Sequence, residues 1–281
     1  MMEMEKCILK NNFKKFLSLI FCSIIIFSGC GKKEDKEIVE EKKNVQRVEK
    51  KEISIIDLES DTRPIAVMIN NHPQAVPNHA GLQDAYITYE IVVEGGLTRL
   101  MALFKDNSTA KIGSVRSSRH YYLDYVLEND AIYTHFGYST IAEKDIPTLG
   151  INNVNGLVDA GFWRDTTLNV DYEHTAFTSI ENILNVANNK GYRMTTEKDT
   201  LLNYSSEEIN LKENKDSIIA NEISIPYSYS QSTGYVYDSE NKNYKRYING
   251  NPHVDAITKE QYTVKNIIVA KIENVSIDGY L

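Results

Sequence analysis

Two arginines three residues apart, in Gly113-Ser-Val-Arg116-Ser-Ser-Arg119, form the segment of this chain best suited to chemistry. Guanidinium groups are planar, permanently charged and forked, so a pair of them suits a phosphate or a carboxylate. The segment is predicted to lead from a loop into a helix over residues 117–127, where unpaired N–H groups would add to an anion site. A second reading stays open, in which the arginines neutralise the chain's own carboxylates, with Glu90 and Glu94 as partners. Arg99 and Arg164 complete a set of four guanidiniums expected to gather in one concave site, with Trp163 and His174 beside them.

Acid–base chemistry has three candidates: Glu90, Glu94 and His135. Two glutamates four apart on a strand stand about 13 Å apart at Cα, too far to share a proton yet able to flank a substrate. His135 is expected at a strand-to-helix corner, where function often sits. No H-E-x-x-H spacing and no G-x-S-x-G elbow occurs, so neither zinc nor serine-triad chemistry is indicated, and no metal or cofactor is expected. Eighteen tyrosines and the single tryptophan would suit stacking on sugar rings, or core packing.

These residues need elements to hold them. Residues 64–69 read as a buried strand; residues 86–94 and 98–105 read as a hairpin about Gly95-Gly96. Closing it with Glu94 opposite Leu97 puts Glu90 opposite Met101 and sets Glu90, Glu94 and Arg99 on one face. A strand over residues 131–136 follows, and two capping-box patterns, Thr140-x-x-Glu143 and Thr178-x-x-Glu181, announce helices. Gly191 is placed to stop the second. Beyond about Leu211 the pattern turns to short β runs over 218–229, 234–238, 244–248 and 266–272. The expected architecture is an α/β or α+β N-terminal domain over 61–210, with a mixed sheet and flanking helices. A β-rich C-terminal domain over 211–281 follows, expected to be incomplete because an unclosed edge would remain.

The N-terminus speaks of place rather than reaction. Lys6, Lys10, Lys14 and Lys15 precede an apolar run from Phe16 to Phe27, then Ser28, Gly29 and Cys30. Charged region, a dozen apolar residues and small residues describe an export signal over 1–29, too short for a hydrocarbon core of roughly 30 Å. Cleavage before Cys30 and fatty acylation of its sulfur, as with palmitate, would leave a lipoprotein on the outer face of the cytoplasmic membrane. Residues 30–60, rich in Lys and Glu, read as a charged tether. Cys7 and Cys22 lie in this leader and Cys30 is the residue to be acylated, so the exported body would hold no disulfide. The whole chain of 281 residues carries −8, and without the leader's four Lys and two Glu about −10, which argues against nucleic-acid partners.

Several of these motifs together resemble one bacterial family, the YerB-like lipoproteins. They are Arg63-Pro64-Ile-Ala-Val, Tyr89-Glu90, Val93-Glu94-Gly95-Gly96-x-Thr98-Arg99, Gly113-x-Val115-Arg116-Ser117-x-Arg119 and Phe162-Trp163-Arg164-Asp165. Tyr244-x-Arg246 and His253-x-Asp255 extend the likeness towards the C-terminus. The resemblance implies a lipid-anchored, extracytoplasmic protein with an α/β part followed by a β-rich part, and it brings no catalytic mechanism. The expected function is recognition of an anionic envelope ligand, such as peptidoglycan or an anionic glycan, or of an envelope protein, through the arginines. The alternatives are a wall-modifying hydrolase using Glu90 or Glu94 with His135, and a structural adaptor without a ligand site.

Overall fold

The computed structural model describes residues 55–273 and residue 275. The export signal, Cys30 and the tether as far as residue 54 lie outside the described residues. Among the described residues no helix is long and apolar enough to cross a membrane.

The chain runs through β1 (Ile65–Asn70), β2 (Ile87–Val92), β3 (Thr98–Phe104), the short β4 (Ile112–Gly113), β5 (Ile132–His135) and β6 (Asn153–Asn155). All but β4 form one mixed sheet in the order β2-β3-β1-β5-β6, with β1, β5 and β6 parallel and the β2–β3 hairpin antiparallel. Every residue of β1 is buried, as the apolar run Ile65–Ile69 requires of a strand covered on both faces. One face packs Val67, Leu100 and Ile132 against Ile180 and Ile183 of α3 (Ile180–Asn189). The other packs Met68, Met101 and Tyr133 against Leu123 and Val126 of α1 (Leu123–Glu128) and Ile146 of α2 (Thr140–Thr148). β7 (Trp163–Arg164) and β8 (Ala176–Thr178) join β4 in a small antiparallel sheet. Gly113 allows that contact: its φ is +149°, and a Cβ there would lie 2.8 Å from the Phe177 ring.

The expected hairpin forms one residue out of register. Glu94, Gly95 and Gly96 make a three-residue turn with both glycines at positive φ (72° and 71°), closed by Val93 N–H donating to the Leu97 carbonyl at 2.8 Å. Glu90 therefore lies opposite Leu100, and Ile91 opposite Arg99. A one-residue slip moves side chains to the other face, so Glu90 and Arg99 leave the sheet on opposite sides. The predicted helix at Ser117 also starts later, as a 3-10 turn over His120–Tyr122 leading into α1. Residues 114–119 are instead extended between the carboxyl ends of β1 and β5: Asn70 N–H donates to Ser114 O, Arg116 N–H to Met68 O and Phe136 N–H to Arg116 O. The predicted helices α2 and α3 form, but their caps are Ser139 and Ser179, one residue from the expected threonines, accepting from Ala142 N and Asn182 N. Adjacent hydroxyls offer equivalent caps, and the residue with extended backbone takes the role.

A second, wholly antiparallel sheet follows: β9 (Glu222–Pro226), β10 (Ser232–Asp238), β11 (Asn243–Ile248) and β12 (Asn251–Pro252), with β13 (Thr263–Val264) also on β11. Residues 266–272, predicted as a strand, form none. The free side of β11 is already taken by β12 and β13, and Ile268 and Ile272 stay exposed.

Candidate anion pocket at the end of the mixed sheet

The carboxyl ends of parallel strands are where open α/β sheets commonly hold ligands, because the loops there diverge. Here the last residue of β1, Asn70, and the first residues of β3, Thr98 and Arg99, border a small cavity closed by Val93, Glu94, Leu97, His72, Arg116, Glu173 and His174. The 114–119 crossing delivers Arg116 to its wall, which is the structural work of the two-arginine motif.

Charge decides what this cavity can do. Arg119 forks onto Glu94, with Nε and Nη2 at 2.6 and 3.0 Å from the two carboxylate oxygens. Burial works to raise the Glu94 carboxyl, and the hydrogen bonds from Arg119 outweigh it, holding Glu94 below the usual range. Arg116 donates to Glu173 at 2.7 Å, which likewise keeps that carboxyl low. Arg99 has no such partner. It is 7% exposed, donates from Nη1 to the Ser117 carbonyl, and has no carboxylate within 4 Å among the described residues. Burial first, then the neighbouring Arg119 and Arg116, pull its guanidinium down to about 10.

His174 supplies a donor of a different kind. The Asn70 side-chain amide lies 2.7 Å from its Nδ1, and the amide is oriented by its own Oδ1, which accepts from His72 N–H at 3.2 Å. Nδ1 is thus the acceptor and Nε2 carries the proton. That Nε2 is buried without a hydrogen-bond partner among the described residues, 3.5 Å from Glu173 Oε1. The ring stacks on His72 at 4.5 Å, and burial, with His72, lowers its pKa.

Behind the pocket a buried polar chain ties the two sheets together. Glu90 accepts from Arg246 (2.9 Å), Thr98 (2.8 Å) and Thr233 (2.9 Å). Arg246 has only donors, so the His253 Nδ1 that meets it accepts. His253 Nε2–H then donates to His79 Nδ1 at 2.8 Å, and His79 Nε2–H to the Asn70 carbonyl at 2.6 Å. Only neutral rings complete this one-way chain, and burial accordingly pushes His79 down to about 4 and His253 well below its ordinary value. Asp255 adds a clamp, accepting from Gly81 N–H and Tyr262 Oη, both at 2.7 Å.

Of the residues anticipated from the sequence, Arg99, Arg116 and His174 line the pocket, and Arg119 reaches its rim through Glu94. Arg164 and Trp163 do not line it. Arg164 lies over the rings of Phe136 and Tyr172 and donates to the Tyr172 carbonyl, bracing the turn that carries Glu173 and His174. Trp163 packs on Phe177. The hydrolase constellation does not assemble. Glu90 faces the second sheet, Glu94 is held by Arg119, and buried His135 has Nδ1 2.8 Å from Gly137 O and Nε2 3.3 Å from the Asn153 side-chain amide, with no carboxylate on either. Asn70, His72 and Glu173 are the pocket residues the sequence reading passed over, although Asn70-Asn71-His72 directly after a buried strand marked the place. Among the described residues no group of three or more His, Cys, Asp or Glu side chains could hold a metal ion.

Residues 53–193 match the family described as "Protein of unknown function (DUF3048) N-terminal domain", and residues 223–280 match its C-terminal domain. The chain belongs to the DUF3048 family. A relative of this DUF3048 chain named "Putative lipoprotein YerB", from Bacillus subtilis (strain 168), is 31% identical over 230 residues, or 78% of this chain. The chain spans 65% of that relative's length. The crystal structure of YerB protein from Bacillus subtilis is similar with a TM-score of 0.61 at 29% identity, covering 73% of this chain and 67% of that one. The DUF3048 fold is thus a mixed sheet with flanking helices followed by a separate antiparallel sheet, as expected from the sequence.

The neutral buried histidines predict an acid-sensitive fold. His79 and His135 stand at about 4 when folded, against about 6.5 unfolded. Between these values the unfolded chain binds more protons, so stability is full above pH 6.5 and falls as pH drops towards 4. His135 alone accounts for roughly 3 kcal/mol at about 1.4 kcal/mol per unit. Thermal melts across this interval should show a steady fall in Tm; a flat profile would contradict the neutral assignment.

Proposed function

We propose that this chain is a lipoprotein, anchored through a lipid on Cys30 to the outer face of the cytoplasmic membrane, that binds an anionic component of the cell envelope in the pocket at Arg99. The export-signal pattern ending at Cys30 and the name of the Bacillus relative support the anchor. One observation carries the pocket: Arg99 is a buried guanidinium without a carboxylate partner among the described residues. A buried charge left unpaired is costly, and a bound anion is the natural relief. An adaptor without a ligand would have its arginines paired internally. Arg116 and Arg119 fit that description, and Arg99 does not.

The test uses the mature chain with Cys30→Ser, titrated with peptidoglycan fragments and with poly(glycerol phosphate). Binding to one of them is expected, weakened about a hundredfold or more by Arg99→Met, since each hydrogen bond from a charged donor contributes about 1.5–3 kcal/mol. Absence of binding to both, or binding indifferent to Arg99, would count against the pocket.

A further inference from the structure

We infer that the group this pocket takes is a single carboxylate, the end of a peptide or of an acidic side chain, rather than a phosphate. The inference rests on the anion-binding reading above and goes on to name the ligand chemistry.

The first argument is charge. Glu94 cancels Arg119 and Glu173 cancels Arg116, so the site keeps one uncompensated positive charge, that of Arg99. His174 adds an N–H but no charge, because its Nδ1 is occupied by Asn70. A singly charged group balances the site. A doubly charged phosphate would exceed it and would meet two fixed carboxylates at the rim.

The second argument is the shape of the donor set. Arg99 spends Nη1 on Ser117 O, while Nε and Nη2 make no hydrogen bond among the described residues and are not sealed from solvent. Those two N–H groups point the same way from one edge of the guanidinium and match the spacing of two carboxylate oxygens. The unpartnered Nε2–H of His174 offers a third donor to the same cavity. Three donors satisfy a flat two-oxygen group, whereas the four oxygens of phosphate would need more. The third argument is size and lining. The cavity measures about 80 Å³, room for a carboxylate and the carbon or two that carry it, and Val93 and Leu97 give that stem an apolar wall.

The test follows the arginine Nε–H and histidine ring signals of the ¹⁵N-labelled mature chain by NMR. The probes are N-acetylglycine, its neutral amide, dimethyl phosphate, and inorganic phosphate at mildly alkaline pH, where it is doubly charged. N-acetylglycine is expected to shift the Arg99 and His174 signals and to bind at least about tenfold more tightly than either phosphate probe. The amide should leave the spectrum unchanged, and Arg99→Met should abolish the response. Tighter binding of dimethyl phosphate or inorganic phosphate would overturn the carboxylate assignment while leaving the anion reading intact. Silence towards all three anions would overturn both.

Discussion

Replacing Arg246 by methionine is expected to destabilise the protein by about 3–5 kcal/mol, the usual result of leaving one member of a buried ion pair alone. The side chains of Arg246 and Glu90 are 8% and 9% exposed, so water cannot take over the lost contact. Glu90 would keep Thr98 and Thr233 as donors but lose its cation, and His253 would lose the donor that fixes its tautomer. Burial alone would lower the Arg246 pKa; Glu90 and its other neighbours outweigh that and raise it, so the guanidinium is charged at any working pH. Because small domains are stable by only about 5–15 kcal/mol, the loss should be plain in a urea midpoint. Combining Arg246→Met with Glu90→Leu should recover much of the loss, since it removes both buried charges together. A single substitution with an unchanged midpoint would mean that this pair does not join the two sheets.

Arg99→Met should act in the opposite sense on stability and binding. Methionine keeps an unbranched apolar stem and removes a guanidinium that has no carboxylate partner, with one hydrogen bond to Ser117 lost in exchange. Stability is therefore expected to hold within about 1 kcal/mol or to rise, the pattern seen where a site is maintained at a cost to the fold. Anion binding should fall about a hundredfold or more, because the site's uncompensated charge and two of its three free donors disappear together. Isothermal titration and thermal melts on the same samples separate the two effects. A large loss of stability with binding retained would assign Arg99 to the scaffold instead.

Much of the fold was legible because it rests on local patterns. The unbroken apolar run at Ile65–Ile69 announced the central strand, and the glycine pair announced a hairpin. The stretch of β runs after Leu211 announced the second sheet. The hairpin register was not legible, because two- and three-residue turns can both use Gly95-Gly96, and only the packed sheet selects between them. That single residue put Glu90 and Arg99 on opposite faces of the sheet.

The arginine motif shows the same division. Its composition pointed to anions whether or not a helix followed, so Arg116 reached the pocket although the expected helix began later. Arg164 shared that composition and went to brace a turn, since its strand neighbours set its direction. By itself the sequence determined what is written in order along the chain: an α/β part followed by a β part, and which side chains carry fixed charge. Only the tertiary structure decided which buried arginine is left without a carboxylate among the described residues. That outcome depends on distances between β1, β3, the 114–119 crossing and the Tyr172–His174 turn, and Coulomb energy follows distance in space rather than separation along the chain.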